Sequence, residues 1–145
     1  MQHRDLELLA DYFQFYLQDE PASGDLSDAW TEDAVERLLA VAPGVVGVGT
    51  ITNGNVPVTI QVLDHEPAQS GASYDQINEC SLEVAEGPLV VAGCTDYFPE
   101  AVRIPIAAQT YRVRVSYCLS GEESYLVQLW PAPAIFPVVV KARAA

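Results

Sequence analysis

Thr110-Tyr111-Arg112-Val113-Arg114-Val115-Ser116-Tyr117 is the most regular run in the chain. Tyr111, Val113, Val115 and Tyr117 fall on one side of an extended backbone, and Arg112, Arg114 and Ser116 fall on the other. A period of two, with aromatic and β-branched residues on the apolar side, predicts a strand with one face on a core. Downstream, Gly121 turns into Tyr125–Trp130, and Ile135–Val140 supplies a closing strand. Upstream, Val102, Ile104 and Ile106 alternate with Arg103, and Pro105 places that strand at a sheet edge because proline cannot donate to a ladder. Cys80, Leu82 and Val84 alternate with Glu79, Ser81 and Glu83, and Gly87-Pro88 then leads into the continuous apolar run Leu89–Cys94. An uninterrupted run of that length suits a buried strand.

The N-terminal half repeats the pattern with one interruption. Phe13, Phe15 and Leu17 alternate with Gln14 and Tyr16, which predicts a first strand over 10–18. Thr31 is a good N-cap, Glu32 and Asp33 load the first turn, and Ala34, Val35, Leu38, Leu39 and Ala42 form an apolar stripe. These predict a helix over about 31–42, with Trp30 stapled on Val35 and Pro43-Gly44 as its end. Val45–Thr52 and Val56–Leu63 flank Asn53-Gly54, the sequence signal of a tight hairpin, and Pro57 argues that its second arm is an edge. The fold class expected is mainly β: one domain over residues 1–145, an antiparallel β-sandwich of about eight or nine strands with one short helix.

Net charge is -13, from 20 Asp and Glu against 7 Lys and Arg, which argues against nucleic acid and anionic membrane as partners. The N-terminus shows no apolar stretch behind a basic start, and no run approaches the length that spans a bilayer, so a cytoplasmic location is expected. Cys80, Cys94 and Cys118 are odd in number and widely spaced, consistent with reduced thiols in a core. No finger-like spacing joins them to His3 or His65, so no metal and no cofactor is expected. Pro57 and Pro105 would blunt edge pairing, which favours a monomer.

Catalytic signals are weak, and the chain reads as a non-enzyme. His65 lies between Asp64 and Glu66, an arrangement equally natural for an exposed loop. Gly44, Gly47 and Gly49 alternate within a strand pattern and no lysine follows, so close backbone packing explains them better than a phosphate loop. Asp19, Glu20, Asp25 and Asp28 lack the spacing of a calcium loop, and nothing selects a carboxylate pair for glycoside hydrolysis. Arg112 and Arg114, with Arg103 nearby, suggest cross-strand pairing with Glu79, Glu83 or other acids, or else a small anion site. Tyr97 and Phe98, in the 94–100 loop, are candidate apolar anchors in a contact surface.

The most concentrated feature is acidic. Asp19, Glu20, Asp25, Asp28, Glu32, Asp33 and Glu36 follow one another with no intervening base. Such a field accelerates association with a basic partner, and it also serves solubility.

Tyr12-Phe13-Gln14-Phe15, followed across the acidic loop by Trp30-Thr31-Glu32-Asp33-Ala34-Val35-Glu36, resembles the opening of the competence protein J family, small inhibitors of a DNA-entry nuclease. The similarity covers about 12–62. It implies an inhibitor or immunity-type protein that neutralises a basic nuclease or toxin. The seven acids would then make charge-assisted hydrogen bonds to Lys and Arg of the partner. The alternative is a β-sandwich module for a small ligand or carbohydrate, with an aromatic pocket at Tyr97, Phe98 and Trp130 and acidity serving solubility alone.

Overall fold

The computed structural model describes residues 1–69 and 71–144, with Ala72 described by its backbone. In chain order the strands are β1 (Gln2–Ala10), β2 (Gln14–Asp19), β3 (Leu39–Ala42), β4 (Val45–Gly49), β5 (Gly54–Val62), β6 (Gln76–Val84), β7 (Leu89–Gly93), β8 (Val102–Ile104), β9 (Gln109–Cys118), β10 (Ser124–Pro131) and β11 (Val138–Lys141). One α-helix, α1 (Glu32–Arg37), stands between β2 and β3.

The strands form two sheets, ordered β1-β5-β10-β9-β6-β11 and β3-β4-β2-β7-β8. Among the described residues every pairing is antiparallel except β5 with β10. The expected β-sandwich is present, and β9 lies inside its larger sheet as its alternation requires. Tyr111, Val113, Val115 and Tyr117 join Phe15, Leu17, Val46, Val48 and Val91 in the core between the sheets. Tyr125 meets Phe15 and Tyr117 edge-on, with ring centroids 5.8 Å away in each case. That geometry sets positive ring edges on negative faces.

Several local expectations are corrected. The strand expected over 10–18 begins at Gln14, and a separate β1 precedes it, so the strands among the described residues number eleven. The helix stops at Arg37: Leu38 enters the left-handed region (φ 62°), and its amide bonds Ala34 and Val35 carbonyls. Leu39 and Ala40 are then fully buried in β3, so core packing overrides their place in a helical stripe. Pro43-Gly44 accordingly turns β3 into β4.

Asn53-Gly54 does not close a hairpin. β4 and β5 belong to different sheets, and neither residue has the positive φ that a two-residue type I′ turn needs. The Asn53 side chain instead accepts from the Tyr12 amide at 2.9 Å. Pro57 is not at an edge, since β5 lies between β1 and β10. Its missing donor is tolerated because the paired segment of β10 begins opposite Val58. Pro105 does follow an edge strand, β8. Of the cysteines only Cys80 is buried, and burial pushes its thiol pKa up to about 12; Cys94 is exposed.

Arg112 and Arg114 pair with Glu79, as cross-strand register allows, while Arg103 lies on the other sheet. Close backbone approach accounts for Gly49, beside the end of α1, whereas at Gly47 loop side chains fill the space instead. A Cβ on Gly47 would lie 2.9 Å from Trp30 and 2.8 Å from Leu26, and one on Gly49 would lie 3.0 Å from the Leu38 backbone.

The tightest approach is between the sheets. A Cβ on Gly93 would sit 1.9 Å from the Leu9 carbonyl oxygen. Gly93→Ala should therefore destabilise the protein by about 3 kcal/mol or prevent folding. Gly54→Ala, whose Cβ meets only Thr52 at 3.5 Å, should stay within about 1 kcal/mol of wild type. Urea unfolding of the two variants checks the contrast.

Candidate partner-binding surface

The acidic loop has a physical reason to lie where it does. Val46 and Val48 point into the core, so Gly47 faces outward, and Leu26 and Trp30 fill the space above it. The Trp30 indole donates to Gln14 Oε1 at 3.0 Å. This seats the 20–31 segment on the outer face of the five-stranded sheet and delivers the chain to α1. Thr31 Oγ1 caps the helix by accepting from the Ala34 amide at 3.2 Å.

The seven predicted acids divide into two groups. Asp19 is 2% exposed and accepts from the Ala85 and Gly87 amides at 2.8 and 2.7 Å. It fastens the end of β2 to the β6–β7 connection and offers nothing to a partner. Glu20 accepts from Arg103 Nε at 2.7 Å, so its charge is matched within the fold. Asp25, Asp28, Glu32, Asp33 and Glu36 are exposed, and among the described residues none of them pairs with a basic side chain. The Ser27 hydroxyl and amide hold the Asp25 carboxyl below its ordinary pKa.

The aromatic candidates are likewise separated. Tyr97 is 69% exposed, whereas the half-buried Phe98 ring lies under the Arg103 guanidinium, 5.2 Å from its centroid. Trp130 belongs to the other sheet, beneath Arg114 at 4.8 Å. The three therefore do not share a pocket. His65 is exposed.

A second feature was not anticipated from the sequence. Tyr12 and Phe13, between β1 and β2, have φ of 58° and 60°. The left-handed region costs a residue with a side chain about 1–2 kcal/mol. Hydrogen bonds hold them there: the Tyr12 amide donates to Asn53 Oδ1 at 2.9 Å, and the Phe13 carbonyl accepts from the Thr50 amide at 2.9 Å. Both side chains are more than half exposed, and with Trp30, Val35 and Leu38 they line an apolar groove of about 440 Å³. A sequence signal for the break exists in the parity of the core residues. Leu6, Leu8 and Ala10 face inward on even numbers, but Phe15 and Leu17 do so on odd ones, so one strand cannot carry both sets.

Glu123 anchors the neighbouring Ile51-Thr52 segment. Its Oε2 accepts from both amides at 3.2 Å, and its carboxylate also receives the Thr52 and Tyr125 hydroxyls. Burial raises this carboxyl, but the Thr52 and Tyr125 hydrogen bonds outweigh burial and hold its pKa below 4.5.

No protein-family profile matches the chain, and no curated protein matches it either. Solved structures do. ComJ of Bacillus subtilis, an inhibitor of the DNA-degrading activity of NucA, superimposes with a TM-score of 0.73 over 89% of this chain and 96% of its own, at 16% identity. The fold is shared with ComJ. The product of crocagin biosynthetic gene J is similar as well, with a TM-score of 0.65 over 92% of this chain and 100% of its own, at 17% identity. The resemblance to ComJ read from residues 12–62 thus extends, as shared architecture, over most of the chain.

Two outcomes follow for the acids. Asp19→Ala should cost about 2–4 kcal/mol by orphaning two amides, whereas Asp28→Ala should stay within about 0.5 kcal/mol, as read by urea unfolding. Because the folded pKa of Glu123 lies below the unfolded one, its stabilisation is complete above pH 4.5 and is lost as pH falls through the folded value. Glu123→Gln should flatten the fall in stability below about pH 5. An unchanged slope would refute the role assigned to that carboxylate.

Proposed function

We propose that this protein is an acidic, non-enzymatic inhibitor that binds and neutralises a basic nuclease or toxin, acting as a monomer in the cytoplasm. The observation that carries the reading is the set Asp25, Asp28, Glu32, Asp33 and Glu36. These five exposed carboxylates lie on one loop and helix, with no basic side chain of the described residues paired to them. A nuclease presents cations where phosphates bind, and carboxylates on a loop and helix seated against a sheet can occupy those positions. The fold shared with ComJ, whose known role is inhibition of NucA, supports the same direction.

Asp19 and Glu20 take no part in this surface, since both are committed within the fold. The partner contacts are therefore assigned to the remaining five acids, with Tyr97 as an exposed aromatic at another loop.

The test is affinity capture from the source-cell extract at graded salt, with wild type beside a variant carrying D25N, D28N, E32Q, D33N and E36Q. Wild type should retain a basic protein whose DNA cleavage stops when the inhibitor is added. The variant should associate about tenfold or more slowly while unfolding at the same temperature. Equal capture by both would refute the proposal.

A further inference from the structure

The groove beside α1 has the composition and the strain of an interaction hot spot. Three non-glycine residues with positive φ, Tyr12, Phe13 and Leu38, all line it. Glycine or asparagine would satisfy the backbone there more easily. The fold instead keeps two aromatic rings in that conformation with most of their surface in solvent. Strain held by surrounding hydrogen bonds, with no matching gain in core packing, points to a use outside the fold.

The surroundings say what that use requires. Among the described residues no Lys or Arg lines the groove. Glu32 stands one turn before Val35 on α1, and Asp33 and Glu36 share that helix, exposed and without a basic side chain of the described residues paired to them. An apolar groove with an acidic helix along one wall matches an apolar side chain carried beside cations.

We infer that this groove is the apolar anchor of the inhibitor surface, seating an aliphatic side chain that the basic partner presents between lysines or arginines. The inference rests on the proposed function and specifies its contact. The carboxylates accelerate encounter, and the groove sets the lifetime of the complex. The anchors are then Tyr12 and Phe13, with Val35 and Leu38 as the facing wall.

The probe is a cyclic peptide with a central leucine between two Lys-Arg pairs, titrated into the whole protein and followed by amide NMR. It should shift Tyr12, Phe13, Leu38 and Thr50, and exchanging its leucine for serine should weaken binding at least tenfold. A Tyr12→Asn, Phe13→Asn double variant should lose the same affinity while its melting temperature holds or rises. Shifts confined to 25–36, equal for both peptides and abolished by salt, would overturn the groove and leave the acidic reading intact. A lowered melting temperature with unchanged peptide affinity would assign the two rings to the fold and also overturn it. Failure of both peptides to bind at low salt would refute the groove and the acidic reading together.

Discussion

Arg114 carries its charge into the middle of a sheet, and much of the molecule is arranged around it. The residue is 2% exposed on the outer face of β9. Its guanidinium donates to Glu79 at 2.9 Å, to Glu66 at 3.1 Å and to the Pro67 carbonyl at 3.0 Å, and stacks over Trp130. A buried cation is tolerable only when its donors are matched this fully. Matching them draws residues 66–67 across the sheet, and Arg112 draws Pro133 in beside them at 3.0 Å. The outer face of the six-stranded sheet is thereby covered at its centre.

The same demand shapes the surface charge. Six of the seven basic residues are engaged inside the fold: Arg103, Arg112 and Arg114 with carboxylates, and Arg37, Lys141 and Arg143 with backbone carbonyls. The acids outnumber them, and some of the surplus fastens loops through backbone amides, as Asp19, Asp75, Asp96 and Glu123 do. What remains is projected outward without compensation, most densely from Asp25 to Glu36. Concentration of charge here is a consequence of where the bases went as much as of where the acids lie.

The sandwich was legible because β6, β7, β9 and β10 follow a period of two or an unbroken apolar run, and tertiary packing reinforces that signal. It failed where local and long-range preferences disagree. Residues 38–42 carry a helical stripe, yet Leu39 and Ala40 gain more from burial in β3. Asn53-Gly54 is a strong local turn, but Asn53 is claimed by Tyr12, forty-one positions away. The acidic block was legible as composition; that Asp19 is buried and Glu20 paired depends on β6–β7 and Arg103, which no spacing within the block discloses.

Tyr12 and Phe13 mark where the chain leaves one sheet for the other, and the crossing accounts for their backbone but not for the choice of aromatic side chains. β1 belongs to the six-stranded sheet and β2 to the five-stranded one. Three residues, Asp11–Phe13, reverse the inward face between them, two of them with left-handed backbone. The turn could have been built from small residues. Placing aromatic rings there exposes apolar surface beside α1, whose acids make a long-range field. Charge alone gives fast but salt-labile association, and an apolar anchor alone gives slow encounter. One end of this sandwich brings the two within a helical turn of each other, at Glu32 and Val35.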